Sequence, residues 1–318
     1  MGVFLELQIQ YLLLIQEFRE ITNGFFDNFF ITSTWLGEIV VPFVFLSIIY
    51  WGVNKKAGTF LLLTFGINLY VNVFLKMFAC IPRPWVLDKR VCPIEKVMEM
   101  ADGYSFPSGH TTGAMSVWGG TAFWFWNNKV IRYLMITFVC LVAFSRNYVG
   151  VHTPQDVLAA ILAGVCVIFG VARLQVWLDQ DKKRDCLFFP LMFLFGMLLC
   201  LYLQIKCHID LQNGINNLVN PLTMKYSTYG KMGFFFGLFS GLFIERKFVK
   251  FEVFSGINEK KVFLVLFGLV CMFGSVWLIK LLLTQFLPQR FVHLLISFYV
   301  GLFITFMYPC FIKKHYSC

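Results

Sequence analysis

The chain has 318 residues and a formal charge of +10; it is 58% hydrophobic and only 14% charged. A soluble domain is about half apolar and a quarter charged, so this composition excludes an ordinary soluble globular protein and indicates a polytopic membrane protein. No basic stripe with interleaved aromatics occurs, so a nucleic-acid partner is not expected, and Lys/Arg-rich cytoplasmic loops account for the charge.

In chain order, residues 1–15 contain no Lys or Arg and no small-residue cleavage site follows, so a cleavable leader is not expected. From Val3 to Glu20, apolar residues alternate with Glu6, Gln8, Gln10, Gln16, Glu17, Arg19 and Glu20. That segment is too polar to span and predicts an interfacial helix. Apolar windows follow near 31–51, 59–78, 110–127, 131–148, 155–177, 187–205, 230–244, 262–283 and 291–312, predicting about nine transmembrane helices. The weakest window is 230–244, which is short and rich in glycine. The expected fold is therefore all-α, a polytopic membrane helical bundle. An interfacial amphipathic helix would occupy 1–28, a membrane core 29–183, and a four-span extension 184–318. Ten cysteines are scattered without a C-x-x-C pair. Cys80 and Cys92 flank one loop, where a disulfide is an open question.

Nine spans put the two ends of the chain on opposite sides. The short loops of one side collect Lys55-Lys56, Lys129 with Arg132, Lys182-Lys183-Arg184, Arg246-Lys247, Lys260-Lys261 and Lys313-Lys314. The positive-inside rule assigns that side to the cytoplasm, so residue 1 and the loops near 79–110 and 148–154 should face away from it.

Three strings in those loops carry chemistry. In the first, Lys76 ends the second span and Arg83 sits between Pro82 and Pro84. Proline stiffens its own backbone and the residue before it, so Arg83 is presented on a rigid segment. A guanidinium and an ammonium suit phosphate oxygens, although a snorkelling interfacial pair would have the same composition. In the second, Pro107-Ser108-Gly109-His110 opens the third span, where a hydroxyl and a free amide at a helix N-terminus make an anion site. An ordinary helix start explains the first three residues but not the imidazole. In the third, Ser145-Arg146 is followed by His152 and Asp156. Thr153-Pro154 reads as a cap and first residue of the fifth span, which puts Asp156 within reach of the His152 ring. Asp156 could orient that ring, or merely complete a capping box with Thr153.

Taken together, Lys-x6-Arg-Pro, Pro-Ser-Gly-His and Ser-Arg-x5-His-x3-Asp resemble, in order and without departure, the three signature motifs of the type 2 phosphatidic acid phosphatase superfamily. That superfamily includes lipid phosphate phosphatases, glucose-6-phosphatase and vanadium haloperoxidases. The resemblance covers about 60–177 and implies that residues 29–183 form a phosphatase core. It further implies that His152 is a nucleophile forming a phosphohistidine and that Asp156 orients it. His110 would protonate the leaving oxygen and then activate water. Lys76, Arg83, Ser108, Gly109 and Arg146 would bind phosphate. No metal or other cofactor is implied, and no carboxylate or histidine cluster has metal-ligand spacing.

The expected activity is metal-independent hydrolysis of a phosphomonoester, a lipid phosphate above all, on the extracytoplasmic face of the plasma membrane if the cell is bacterial. A sugar phosphate or a polyprenyl diphosphate is the alternative substrate, and a non-catalytic transporter or scaffold the alternative of another class. The expected partners are the phosphorylated substrate and membrane lipids, and the oligomeric state is open. Glu38, near the outer end of the first span, is an intramembrane acid and so a functional candidate, with simple solvation as the competing explanation.

Overall fold

The structure, a computed structural model, describes residues 2–316 apart from 39, 100, 102, 213–220 and 254–258. Among the described residues there are helices and no strands. The first seven α-helices are α1 (Val3–Ile21), α2 (Asp27–Ser33), α3 (Val40–Ile48), α4 (Lys55–Ala79), α5 (Pro84–Leu87), α6 (Glu95–Met98) and α7 (Gly109–Ala114). They continue with α8 (Gly120–Trp124), α9 (Lys129–Tyr148), α10 (Pro154–Gln180) and α11 (Asp185–Gln212). The last four are α12 (Pro221–Ile244), α13 (Glu259–Leu283), α14 (Gln289–Leu302) and α15 (Tyr308–Tyr316). This is an all-α, polytopic membrane architecture.

Six helices are long and apolar enough to cross a membrane, or seven if a bent pair, Asp27–Gly37 with Val40–Val53, forms one span. The other two of the nine windows also lie on helices. The window from 110 falls on α7, a five-residue π turn (Met115–Gly119) and the five-residue α8, short for a full crossing. The 230–244 window falls on α12, where Lys231 and the glycines dilute the apolar character. Cys80 and Cys92 are both free thiols.

The chain divides into two compact units. The first comprises Met1–Pro42, Val71–Ile168 and Cys207–Met224, and holds all three motif strings. In it α7 packs on α9 and on the 3₁₀ turn Thr34–Gly37. Helix α1 turns apolar Val3, Phe4, Leu7 and Leu14 outward and buries Gln8 with Ile9 and Leu12. Its glutamines brace the motif loops. Gln8 Oε1 accepts from the Gln155 amide at 3.0 Å, satisfying a first-turn donor of α10, and Gln16 Oε1 accepts from the Cys92 amide at 2.8 Å.

The second unit comprises Phe43–Tyr70, Phe169–Lys206 and Lys225–Cys318. Here the glycines of α12 have a use. A Cβ on Gly233 or Gly237 would collide with the backbone carbonyls of Leu294 and Phe298 on α14, so these positions let the two helix backbones touch. Small residues at a four-residue spacing serve this purpose where no hydrophobic effect drives helices together. Lys55 Nζ meets the fully buried Glu245 carboxylate at 2.6 Å, and Arg246 pairs with Asp185 at 3.0 Å.

Candidate active site

Lys76 and Arg83 are 6% and 7% exposed, too buried for snorkelling at an interface. Lys76 Nζ donates to the Tyr104 carbonyl at 2.7 Å. Arg83 caps α5 in an extended conformation (φ −70, ψ 155), with Pro84 as the first helical residue. Its Nε donates to the Gly103 carbonyl and one Nη1 to the Val151 carbonyl, each at 3.0 Å. These bonds tie the loop between α5 and α7 to the loop between α9 and α10. Arg146, in the last turn of α9, is 3% exposed, and its Nε has no hydrogen-bond partner among the described residues. A guanidinium desolvated with a bare donor is costly unless an anion completes it.

Ser108 is the N-cap of α7, its Oγ accepting from the Thr111 amide at 3.4 Å and the Thr111 hydroxyl at 2.9 Å. Its own amide donates to the Asp156 carbonyl at 3.0 Å, which joins the second motif to the third. A Cβ on Gly109 would meet nothing within 4 Å, so the space beside that amide is open. Asn72, one turn before Lys76 on α4, donates to the Pro107 carbonyl at 3.3 Å and to Thr112 Oγ1 at 2.9 Å, fixing this helix start.

His152 is almost fully buried. Arg83 Nη1 lies 2.9 Å from its Nε2, and a guanidinium can only donate, so Nε2 carries the lone pair and Nδ1 the proton. Nδ1 faces Asp156 Oδ2 at 3.3 Å and Ser105 Oγ at 3.3 Å. The same Asp156 oxygen accepts from Ser105 Oγ at 2.5 Å and from the Thr153 amide at 2.8 Å, while Thr153 Oγ1 accepts from the Asp156 amide at 3.4 Å. The capping box and the ring contact thus coexist on one oxygen. Asn147 Nδ2 holds the His152 carbonyl at 2.9 Å. Burial, and then the charges of Arg83, Arg146, Lys76 and His110, hold the imidazole well below its ordinary range, so His152 is neutral at pH 7.

The second imidazole is more open. His110 Nε2 lies 3.6 Å from Glu38 Oε1, with side-chain exposures of 29% and 41%, against 2% and 2% for His152 and Asp156. All eight motif residues therefore lie in the first unit, and the contacts above join the three strings directly. Sequence reading missed Ser105, Asn72 and Asn147. Asn72 had a signal, its place one turn from Lys76 on the same helix face; Ser105 and Asn147 had none.

Two family descriptions match the chain: residues 57–180 match the PAP2 superfamily, and residues 229–316 the PAP2 superfamily phosphatase, transmembrane extension. Among curated relatives, an undecaprenyl-diphosphatase of Bacillus subtilis is 28% identical over 46% of this chain and 74% of its own length. Lipid phosphate phosphatase delta of Arabidopsis thaliana is 25% identical over 54% of this chain, which spans only 42% of that relative. Glucose-6-phosphatase catalytic subunit 1 of Mus musculus is 28% identical over 60% of each chain. No solved structure matches the chain. With the domain and its transmembrane extension both present, in an all-helical membrane fold, the chain belongs to the PAP2 superfamily of phosphatases.

Proposed function

We propose that this protein is an integral-membrane, metal-independent phosphatase that hydrolyses a lipid-borne phosphomonoester through a phosphohistidine on His152. The observation that carries the reading is the neutral His152 ring. Its Nε2 lone pair is set beside Arg83, in a site where Lys76 and Arg146 supply two further buried cations. These cations, the Ser108 hydroxyl and the Gly109 amide bind the phosphate oxygens and stabilise the charge of the in-line transition state. His152 Nε2 attacks phosphorus, and the ester P–O bond breaks with its electron pair going to the leaving oxygen, which takes a proton from His110. Asp156 holds Nδ1–H and balances the positive charge of the phosphorylated ring. Water then attacks phosphorus and gives a proton to His110. The P–N bond breaks, its electron pair returns to Nε2, and orthophosphate leaves. The difference in exposure fits this division: the nucleophile is dry and the acid–base group is reachable by water.

A lipid substrate is favoured by the surroundings of the site. Phe78 on α4, Phe144 on α9 and Leu158 on α10 are each two residues from Lys76, Arg146 and Asp156, and are 71%, 42% and 58% exposed. At two residues' spacing these side chains lie on the helix faces turned away from the motif residues, and their exposure supports lipid around the helices at the level of the site, within reach of a membrane-held headgroup. The named activities of the relatives, on a lipid phosphate, a polyprenyl diphosphate and a sugar phosphate, define the competing substrates. The share of the chain aligned to glucose-6-phosphatase supports a sugar phosphate as the second reading. A non-catalytic scaffold has no physical reason to keep three buried cations around a neutral imidazole. By the loop charges the site faces away from the cytoplasm, in the plasma membrane if the cell is bacterial. Residues 1–28 lie at the interface, 29–183 form the catalytic core, and 184–318 form a membrane extension.

Phosphate release from purified protein, measured on a panel of lipid phosphates, polyprenyl diphosphates and sugar phosphates, tests this. Release from lipid monophosphates in mixed micelles is expected to dominate. Release from sugar phosphates alone would favour the second reading, and no release from any ester would overturn the enzyme assignment.

A further inference from the structure

We propose that Glu38 is a positioning residue for His110, its carboxylate holding the imidazole and its proton ready for the leaving-group step. This rests on the phosphatase reading above and adds a residue outside the three motifs. Glu38 follows the 3₁₀ turn Thr34–Gly37 in an extended conformation (φ −80, ψ 162), with Oε1 3.6 Å from His110 Nε2. The charged groups bearing most strongly on that ring are Arg146 and Arg83, both cations, and Glu38, the carboxylate. Two fixed positive charges disfavour the imidazolium that must exist to protonate a leaving oxygen. Burial opposes it further, and a carboxylate against Nε2 is the one group that works the other way.

The placement is built into the backbone. A Cβ on Gly37 would stand 2.5 Å from the His110 carbonyl oxygen, and one on Gly113 would stand 2.7 Å from the Gly37 carbonyl oxygen. The Trp118 indole donates to the Leu36 carbonyl at 2.8 Å. Three contacts thus press the turn that leads into Glu38 onto α7 and the π turn that continues it, two of them available only because glycine has no side chain. Simple solvation of an interfacial acid requires none of this. The pair resembles Asp156–His152 in setting a carboxylate against an imidazole, but it engages Nε2 rather than Nδ1, at 3.6 Å against 3.3 Å, and is more open, as suits an acid–base group that exchanges protons with substrate and water.

A double-mutant cycle over Glu38→Gln and His110→Ala, with Glu38→Asp as the conservative variant, separates this role from a structural or substrate-binding one. Phosphoenzyme formation is followed by rapid quench with an alkyl phosphate and with p-nitrophenyl phosphate, whose leaving group needs little protonation. General acid help is worth about 10²–10⁴-fold, so Glu38→Gln should lower the alkyl-ester rate by at least about tenfold and the aryl-ester rate by less than about threefold, with KM unchanged. Glu38→Asp should recover part of the loss. In the His110→Ala background Glu38→Gln should cost nothing further. Glu38→Gln is isosteric at a side chain 41% exposed, and unchanged thermal stability in detergent will verify its fold. Additive losses, equal losses with both esters, a rise in KM alone, or no loss would each overturn the assignment while leaving the wild-type enzyme a phosphatase. A wild type that releases no phosphate would instead remove the reading on which it rests.

Discussion

Replacing Asp156 by Asn should slow phosphoryl transfer to His152 without abolishing it. The Thr153 amide, Ser105 Oγ and His152 Nδ1 all converge on Oδ2 of Asp156. An asparagine with its carbonyl oxygen in that place keeps all three acceptor contacts, and with them the tautomer of the ring. What it loses is the negative charge facing the imidazolium that forms when Nε2 is phosphorylated. At the observed 3.3 Å, a pair of unit charges is worth about 5 kcal/mol at an effective dielectric of ~20 and about 1 kcal/mol at ~80. The phosphorylation rate should therefore fall by about tenfold at the least and by several thousandfold at most. His152→Ala, which removes the nucleophile, should give no phosphoenzyme at all. Single-turnover rapid quench with an aryl phosphate reads both variants on the same step. An Asp156→Asn variant as inert as His152→Ala, or one as fast as the wild type, would refute the reasoning.

Other outcomes follow from the same geometry. Because side chains supply the positive charge, hydrolysis should survive EDTA and be inhibited by vanadate, which mimics five-coordinate phosphorus; abolition by EDTA with rescue by magnesium would contradict this. On the proposed mechanism His152, held below its ordinary value by burial, attacks as the neutral ring, so its active form persists as the pH falls past 6.5. The acidic limb of kcat/KM for an aryl phosphate should thus have its midpoint below 6.5, and a midpoint at or above that value would be inconsistent. Gly37→Ala needs a shift of roughly 1 Å to relieve its clash with the His110 carbonyl, a misplacement that can cost about 10²-fold in rate. Wild-type kcat in that variant would show that the approach of the turn to α7 is unimportant. An impermeant thiol reagent should label a single cysteine placed at Lys89 in intact cells, in a background without other reactive thiols; labelling only after permeabilisation would reverse the orientation.

The motif residues were legible because phosphate chemistry demands cations, an imidazole and a carboxylate at fixed spacings, and few structural needs mimic the whole set. Individual strings stayed ambiguous for physical reasons that the fold resolves. Capping and ring orientation looked like rival roles for Asp156, yet one carboxylate oxygen contacts both the Thr153 amide and the His152 ring because α10 begins two residues after His152. Lys76 and Arg83 could have snorkelled until their burial against loop carbonyls was seen. Ser105 carries no local signature; the hydrogen bond its amide N–H donates to the Ile81 carbonyl at 2.7 Å helps bring it to Asp156, a tertiary event. Polar residues in α1 predict an interfacial helix; two of them, Gln8 and Gln16, accept from loop amides, a tertiary role the sequence does not signal. The glycines that made 230–244 look weak as a span are the surface on which α12 meets α14.

The central claim is a covalent phosphohistidine at His152, and trapping it is the most direct test. Protein quenched in alkali during turnover of a 32P-labelled substrate should carry label that is stable to base and lost in acid, and peptide mapping should place it on His152. Turnover with no trapped label, or label on any other residue, would contradict the account.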